Sequence, residues 1–234
     1  MDARERTYQF LDEFKKLEEH LKNNIPGGLA MKTAELIEEA VHSNSVVRYY
    51  QNSLRKYRKL RNVLVHHRGK KDPVIAIPTE EALAEFREIV STIIRPPTLD
   101  RFRKNLRIFT LEDPLADVLR HMGDNDYSQV VVLNNGKIDL LTVEGITRWL
   151  AAHIPDGIME LTATVADVLK YEETGSFVVL SRKATIYDAV EVFSSSLRQG
   201  KPRVFAVIIT ENGRDTEYPL GIVTPWDLLN LQRT

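Results

Sequence analysis

The chain has 234 residues, 43% hydrophobic and 28% charged, with 32 Lys/Arg against 33 Asp/Glu for a net charge of -1. That length allows one large or two small domains, and the composition excludes a disordered chain, a collagen or a coiled-coil rod. The absence of cysteine excludes disulfides, thiolate zinc sites and a cysteine nucleophile, while the polar N-terminus MDARERTYQF and the lack of any ~20-residue apolar stretch set the expectation of a cytoplasmic protein with no membrane segment.

Residues 1–98 read as helical. Phe10, Leu11, Phe14, Leu17 and Leu21 recur on one face, and Asn-Asn-Ile-Pro-Gly-Gly at 23–28 stops the run. A second helix is predicted over Leu29 to His42. After the cap-like Ser43-Asn44-Ser45, the residues Val46, Val47, Tyr50, Leu54, Tyr57 and Leu64 continue the 3.6-residue period to about His66. Gly69 and Asp72-Pro73 close that helix. Thr79 caps a last one holding Leu83, Phe86, Val90 and Ile93, and Arg95-Pro96-Pro97 ends it at a domain boundary.

The near-zero net charge hides an asymmetry: residues 1–98 carry a net +3 and residues 99–234 a net -4. Positions 41–71 hold nine basic residues and no acid, with Tyr49, Tyr50 and Tyr57 interleaved. Such a run is either a solvated helix face or a surface for phosphates, and composition leaves both open. Within it, Arg61 follows Tyr57 by four residues and so falls on the apolar stripe. An unpaired charge is costly there, so the guanidinium needs an anionic partner, a subunit interface or a substrate. Asn62 and His66 share a face, whereas Arg61 and His66 are about 140° apart on an ideal helix. The two converge on one point only if the helix frays or two copies meet.

The second half alternates short strands and helices and repeats itself. Asp113-Pro-Leu-Ala-Asp-Val-Leu corresponds to Ala184-Thr-Ile-Tyr-Asp-Ala-Val at an offset of 71, Val130-Val-Val to Ala206-Val-Ile at 76, and Leu140-Leu-Thr to Ile222-Val-Thr at 82. Asn134-Asn135-Gly136 and Asn212-Gly213 read as hairpin-type turns. Each unit alone would leave an apolar sheet face open, so the two should pack together. In Gly221-Ile-Val-Thr-Pro-Trp-Asp, Thr224 ends a strand and Asp227 lies in the first turn of the next helix. Helix amides and a hydroxyl suit a phosphate, and a carboxylate one turn on suits two ribose hydroxyls. The plainer alternative is a helix cap. Arg203, ahead of the strand at 204–210, is a further phosphate candidate. The first unit keeps Thr142 but has Gly145 where the carboxylate would stand, which predicts one nucleotide per chain.

At these residues the second half resembles a tandem pair of CBS (cystathionine-beta-synthase) domains, or Bateman module, over about residues 99–234. The motif Gly221-Ile-Val-Thr-Pro-Trp-Asp-Leu is the most specific part, and Thr164-Val-Ala-Asp-Val-Leu resembles the short helix that opens such a unit. With the helical first half this gives an α+β protein: an all-α bundle over 1–96, then, as the resemblance implies, β-α-β-β-α units at 99–153 and 161–234 packed as a pseudo-dimer. It also implies an adenosine ligand (AMP, ADP or ATP), with Asp227 on the ribose and Thr224 towards the phosphates. Arg61-Asn62-Val-Leu-Val-His66 is similar to the Arg-Asn-three residues-His signature of HEPN (higher eukaryotes and prokaryotes nucleotide-binding) domains, over about residues 5–95. That resemblance implies a metal-independent endoribonuclease whose site is shared by two subunits. His66 would be its general acid or base, Arg61 would stabilise phosphorane charge and Asn62 would orient them, roles that suit these side chains. The expectation is a homodimer or higher even oligomer in which an adenine nucleotide gates RNA cleavage. The alternative is a non-catalytic nucleotide-sensing adaptor or dimerisation protein. The scattered His20, His42, His121 and His153 show no metal-ligand spacing, so no metal is expected.

Overall fold

The computed structural model describes residues 2–66, 76–153, 162–198 and 203–229. The chain divides into two compact units, Met1–Pro97 and Thr98–Thr234. It is an α+β protein, helix-rich at the N-terminus and followed by small mixed sheets.

The first unit contains α1 (Ala3–Asn24), α2 (Thr33–Ser43), α3 (Ser45–Tyr49), α4 (Gln51–His66) and α5 (Glu80–Ile94). The apolar face of α1 buries Phe10, Phe14, Leu17 and Leu21. Phe86 of α5 is the hub of its aromatic core, with ring centroids 4.9 Å from Phe10, 4.7 Å from Tyr57 and 5.6 Å from Phe14. Thr79 caps α5 as expected, its hydroxyl accepting the Ala82 N–H at 3.1 Å. Two boundaries differ from the sequence reading. The second helix begins at Thr33, because Gly27 (φ 73°) turns the chain into a short 3-10 segment, Gly28–Ala30, that leaves Leu29 81% exposed. The helix expected from Val46 to His66 is interrupted at Tyr50, whose backbone (φ -90°, ψ 10°) lies in the bridge region. The proposed stops at Gly69 and Asp72-Pro73 lie outside the described residues.

The second unit contains β1 (Ile108–Thr110), α6 (Leu115–Asn125), β2 (Gln129–Asn134), β3 (Lys137–Thr142) and α7 (Val143–His153), followed by α8 (Val165–Leu169). The pattern then recurs as β4 (Phe177–Ser181), α9 (Ile186–Arg198), β5 (Ala206–Thr210), β6 (Gly221–Val223) and α10 (Pro225–Leu229). Each three-stranded sheet pairs its first two strands parallel and its last two antiparallel. Asn135 and Gly136, at φ 51° and 80°, supply the two positive φ angles of a tight hairpin between β2 and β3. Pairing Ile108 with Val131 and Val179 with Ile208 makes the central-strand offset 77, one more than the sequence alignment assigned. A run of consecutive branched apolar residues conceals a one-residue slip.

Alternation along the strands builds a layered core. Val131, Ile138 and Leu140 of the first sheet meet Ala206 and Ile208 of the second. Val130, Val132 and Leu141 point the other way, towards helices that bury Leu115, Val118, Ile146 and Trp149. The segments that open each repeat exchange partners. Val165 and Val168 of α8 complete the core of the first repeat, while Leu99 completes that of the second. Leu99 N–H donates to Ala184 O at 2.8 Å, and bridges join Thr98 to Thr185 and Pro114 to Thr164.

Candidate functional site

Thr224 closes β6, Pro225 opens α10, and Asp227 falls in its first turn. Proline suits that position because its fixed φ is helical and no N–H is needed there. The Thr224 N–H and hydroxyl donate to Asp227 Oδ2 at 2.7 and 2.8 Å. The same cap recurs at Thr164–Asp167 (3.0 and 3.0 Å) and Thr185–Asp188 (2.7 and 2.8 Å). Capping geometry alone therefore does not single Asp227 out. Its surroundings do.

Thr224, Asp227 and Arg203 all line one cleft of ≈ 810 Å³ within the second unit. From the first repeat, Lys104, Arg107, Tyr127 and Ser128 face the same space. The Arg203 guanidinium lies 5.0 Å from the Phe205 ring centroid and 3.9 Å from Glu144 Oε1, and Lys104 Nζ lies 5.9 Å from the Tyr127 ring. Among the described residues, Asp227 Oδ1 takes no hydrogen bond. The cleft thus offers a half-buried hydroxyl, an acceptor oxygen, three cations and aromatic faces, a set that suits a phosphorylated, ring-bearing ligand.

The corresponding corner of the first repeat is built differently. Thr142 is fully buried at the end of β3, and its hydroxyl accepts the Gly145 N–H at 3.0 Å. The carboxylate missing at position 145 comes from Glu172, beyond α8. Glu172 Oε1 accepts the Thr142 N–H at 2.6 Å, and both its oxygens lie 3.0 Å from the Thr142 hydroxyl. A Cβ on Gly145 would overlap that carboxylate. Arg148 secures the loop, donating to Tyr171 O at 2.8 Å and Glu173 Oε1 at 2.7 Å. Burial pushes the Glu172 carboxyl above its ordinary value, against the opposing pull of the Thr142 N–H, the Thr142 hydroxyl and Arg148.

In the helical unit, the guanidinium on the apolar stripe finds its anion nearby. Arg61 lies 3.9 Å from Glu18 of α1, its guanidinium carbon Cζ 5.8 Å from the Phe14 ring centroid, and it donates to Asn62 Oδ1 at 3.5 Å. Glu18 also accepts the Thr33 hydroxyl. His66 ends α4, but its side chain lies outside the described residues, as does all of His67. Part of the basic run is occupied locally. Arg55 makes a forked pair with Glu38 (3.1 and 2.8 Å), and Arg48 donates to the Val41 and His42 carbonyls at 2.8 and 2.5 Å.

Residues 163–233 match the family model described as the CBS domain. This segment is a CBS domain. The fold is also similar to solved CBS structures. The CBS domain of a CBS-domain-containing membrane protein from Sphaerobacter thermophilus is 18% identical, with 65% of this chain and 98% of that one covered at a TM-score of 0.45. CBSX2 in complex with AMP is 15% identical, covering 58% and 96% at 0.41. CbpB in complex with c-di-AMP is 15% identical, covering 58% and 84% at 0.40. No curated protein matches the chain.

The match includes Arg203, Thr224 and Asp227, which the sequence reading had selected, together with Glu172, which it had not. Gly145 was the available signal, since a small residue at a capping position leaves room for a side chain from elsewhere. The donor, however, lies 27 residues further along the chain. Among the described residues, no helix is long and apolar enough to cross a membrane.

Proposed function

We propose that the cleft of the CBS domain binds an adenosine nucleotide and that the protein is a nucleotide-responsive regulator. The observation that carries this reading is the meeting of Arg203, Thr224 and Asp227 with Lys104 and Arg107 around one ≈ 810 Å³ cleft. In this reading Asp227 Oδ1 accepts from the ribose hydroxyls while Oδ2 stays on Thr224. The three cations face the phosphates, and the aromatic residues of the cleft cover the base. Calorimetric titration with AMP, ADP and ATP tests it. A carboxylate holding ribose hydroxyls contributes about 1.5–3 kcal/mol, so Asp227→Ala should weaken binding roughly 10- to 150-fold. Arg203→Ala should weaken ATP more than adenosine. Unchanged affinity in Asp227→Ala would reduce Asp227 to a helix cap.

The output of the regulator is assigned to the helical unit. Two readings differ in what that unit does. As an endoribonuclease, Arg61, Asn62 and His66 would act on RNA without metal, with two copies of the chain completing the site and nucleotide binding setting the rate. As an adaptor, the unit would dock a protein or RNA partner. The Arg61–Glu18 pair favours the adaptor, because a guanidinium held by a carboxylate must first leave it to reach a phosphate. Labelled mixed-sequence RNA incubated in EDTA, with and without ATP or AMP, separates the two. Cleavage by the wild type that is lost in His66→Ala establishes the nuclease, whereas intact RNA throughout leaves the adaptor.

A further inference from the structure

The two repeats place equivalent threonines, Thr142 and Thr224, at the ends of β3 and β6, yet among the described residues Thr142 is fully buried while Thr224 faces a cleft. We infer that the Thr142 corner is a second nucleoside-type site that the chain holds closed with its own Glu172, so that the CBS pair is built to take one nucleotide and not two. This inference rests on the nucleotide reading of the Thr224 corner.

Three observations carry it. First, Glu172 makes the contacts that Asp227 makes in the other repeat: one carboxylate oxygen accepts both the N–H and the hydroxyl of the threonine, at 2.6 and 3.0 Å. The capping interaction survives, but its anion arrives from the loop after α8. Second, Gly145 makes room for it, since a Cβ there would overlap the carboxylate. Glycine at 145 and glutamate at 172 are thus one device. Third, the corner is buried and holds a carboxylate, where the other is open and includes the cations Lys104, Arg107 and Arg203 in its lining. Thr142 has no exposed surface, whereas Thr224 and Asp227 are half-buried in the cleft. At the repeat offset of 71, Gly175 and Val178 stand where the open cleft has Lys104 and Arg107. A ligand at the closed corner would find no open surface at Thr142 and would lack those two cations for its phosphates. Arg148 completes the closure by clamping residues 171 and 173 on either side of Glu172.

Removing the plug and restoring the local carboxylate should open the site. Its ligand should be an uncharged nucleoside, because the matching cations are missing. Calorimetric titration of the full chain with adenosine and with ATP compares wild type, Gly145→Asp/Glu172→Ala, and that pair combined with Asp227→Ala. The expected result is one equivalent in wild type, a second equivalent of adenosine in the opened variant, and survival of that second equivalent when Asp227 is lost. Two equivalents in wild type would overturn the inference, as would an opened variant that folds normally and gains none. If wild type binds nothing while the opened variant binds one adenosine, the closed site stands and the Thr224 reading fails.

A stability cycle tests the plug without any ligand. Gly145→Ala must displace the Glu172 carboxylate in wild type but displaces nothing in the Glu172→Ala background, so its effect on the melting temperature should be less favourable in wild type. An equal effect in both backgrounds would mean that the carboxylate does not occupy the corner, and the inference would fall.

Discussion

Gly221 opens the strand that delivers Thr224 to the cleft, and the structure gives a steric reason for glycine there. A Cβ at 221 would lie 2.5 Å from the Phe102 carbonyl oxygen and 3.2 Å from Ile209 Cδ1. The first neighbour is backbone, fixed by the bridge between Arg103 and Gly221 and by the Lys104 N–H donating to Leu220 O at 3.1 Å. It cannot rotate away as a side-chain tip would. Overpacking a filled core costs about 1–3 kcal/mol, and an immovable neighbour puts Gly221→Ala at the upper end, about 3 kcal/mol. For a chain of this size each kcal/mol lowers the melting temperature by roughly 2–4 °C, so the variant should melt roughly 6–12 °C below wild type. Gly123→Ala is the matched control. Nothing lies within 4 Å of a Cβ at 123, inside α6, and removing a helical glycine should stabilise by roughly 0.5–1 kcal/mol. Chemical denaturation of the two variants reads both effects. A Gly221→Ala protein within 0.5 kcal/mol of wild type would refute the steric account of this motif position.

Phe86→Ala should cost about 3–5 kcal/mol, because the ring touches three others in the core of the helical unit; thermal unfolding measures it. Arg61→Ala and Glu18→Gln should each cost about 0.2–1 kcal/mol, the usual range for a partly exposed pair. The double variant should cost little more than either, and strict additivity in a double-mutant cycle would show that Glu18 is not what holds Arg61. For Glu172 the pH dependence has a definite sign. Its folded carboxyl is raised above 4.5, chiefly by burial and slightly by Asp139, so the folded state binds the proton more tightly than the unfolded chain. Its contribution is therefore largest at low pH and is lost as pH rises through the folded value. The melting temperature of Glu172→Gln relative to wild type should increase from pH 4 to pH 7, and a flat difference would argue against burial as the cause.

What the sequence made legible followed from local chemistry. The internal repeat exposed the strand-helix order, and a threonine three residues ahead of an aspartate marked strand end and helix start. Arg203, Thr224 and Asp227 could be chosen because each lies at an element terminus where side chains face a common edge. Glu172 could not be chosen in the same way, since its position depends on where a loop carries it and no local spacing reports that. The interruption at Tyr50 carries no glycine or proline, and the apolar period runs on through it. The exchange of opening segments was hidden for a related reason. The apolar period identifies which face of α8 is buried, not which sheet covers it.

That exchange has a consequence for how the protein is made. Leu99 is needed by residues synthesised more than a hundred positions later, and the core around Phe109 and Leu115 waits for Val165 and Val168. At roughly 5–20 residues per second, the stretch from Leu99 to Val168 takes roughly 3–14 s to emerge and that from Leu99 to Val223 roughly 6–25 s. The helix-side core of the first repeat is therefore complete in sequence before that of the second has left the ribosome. A chain stopped after residue 153 would leave it with an uncovered apolar face, as a substrate for chaperones or proteases.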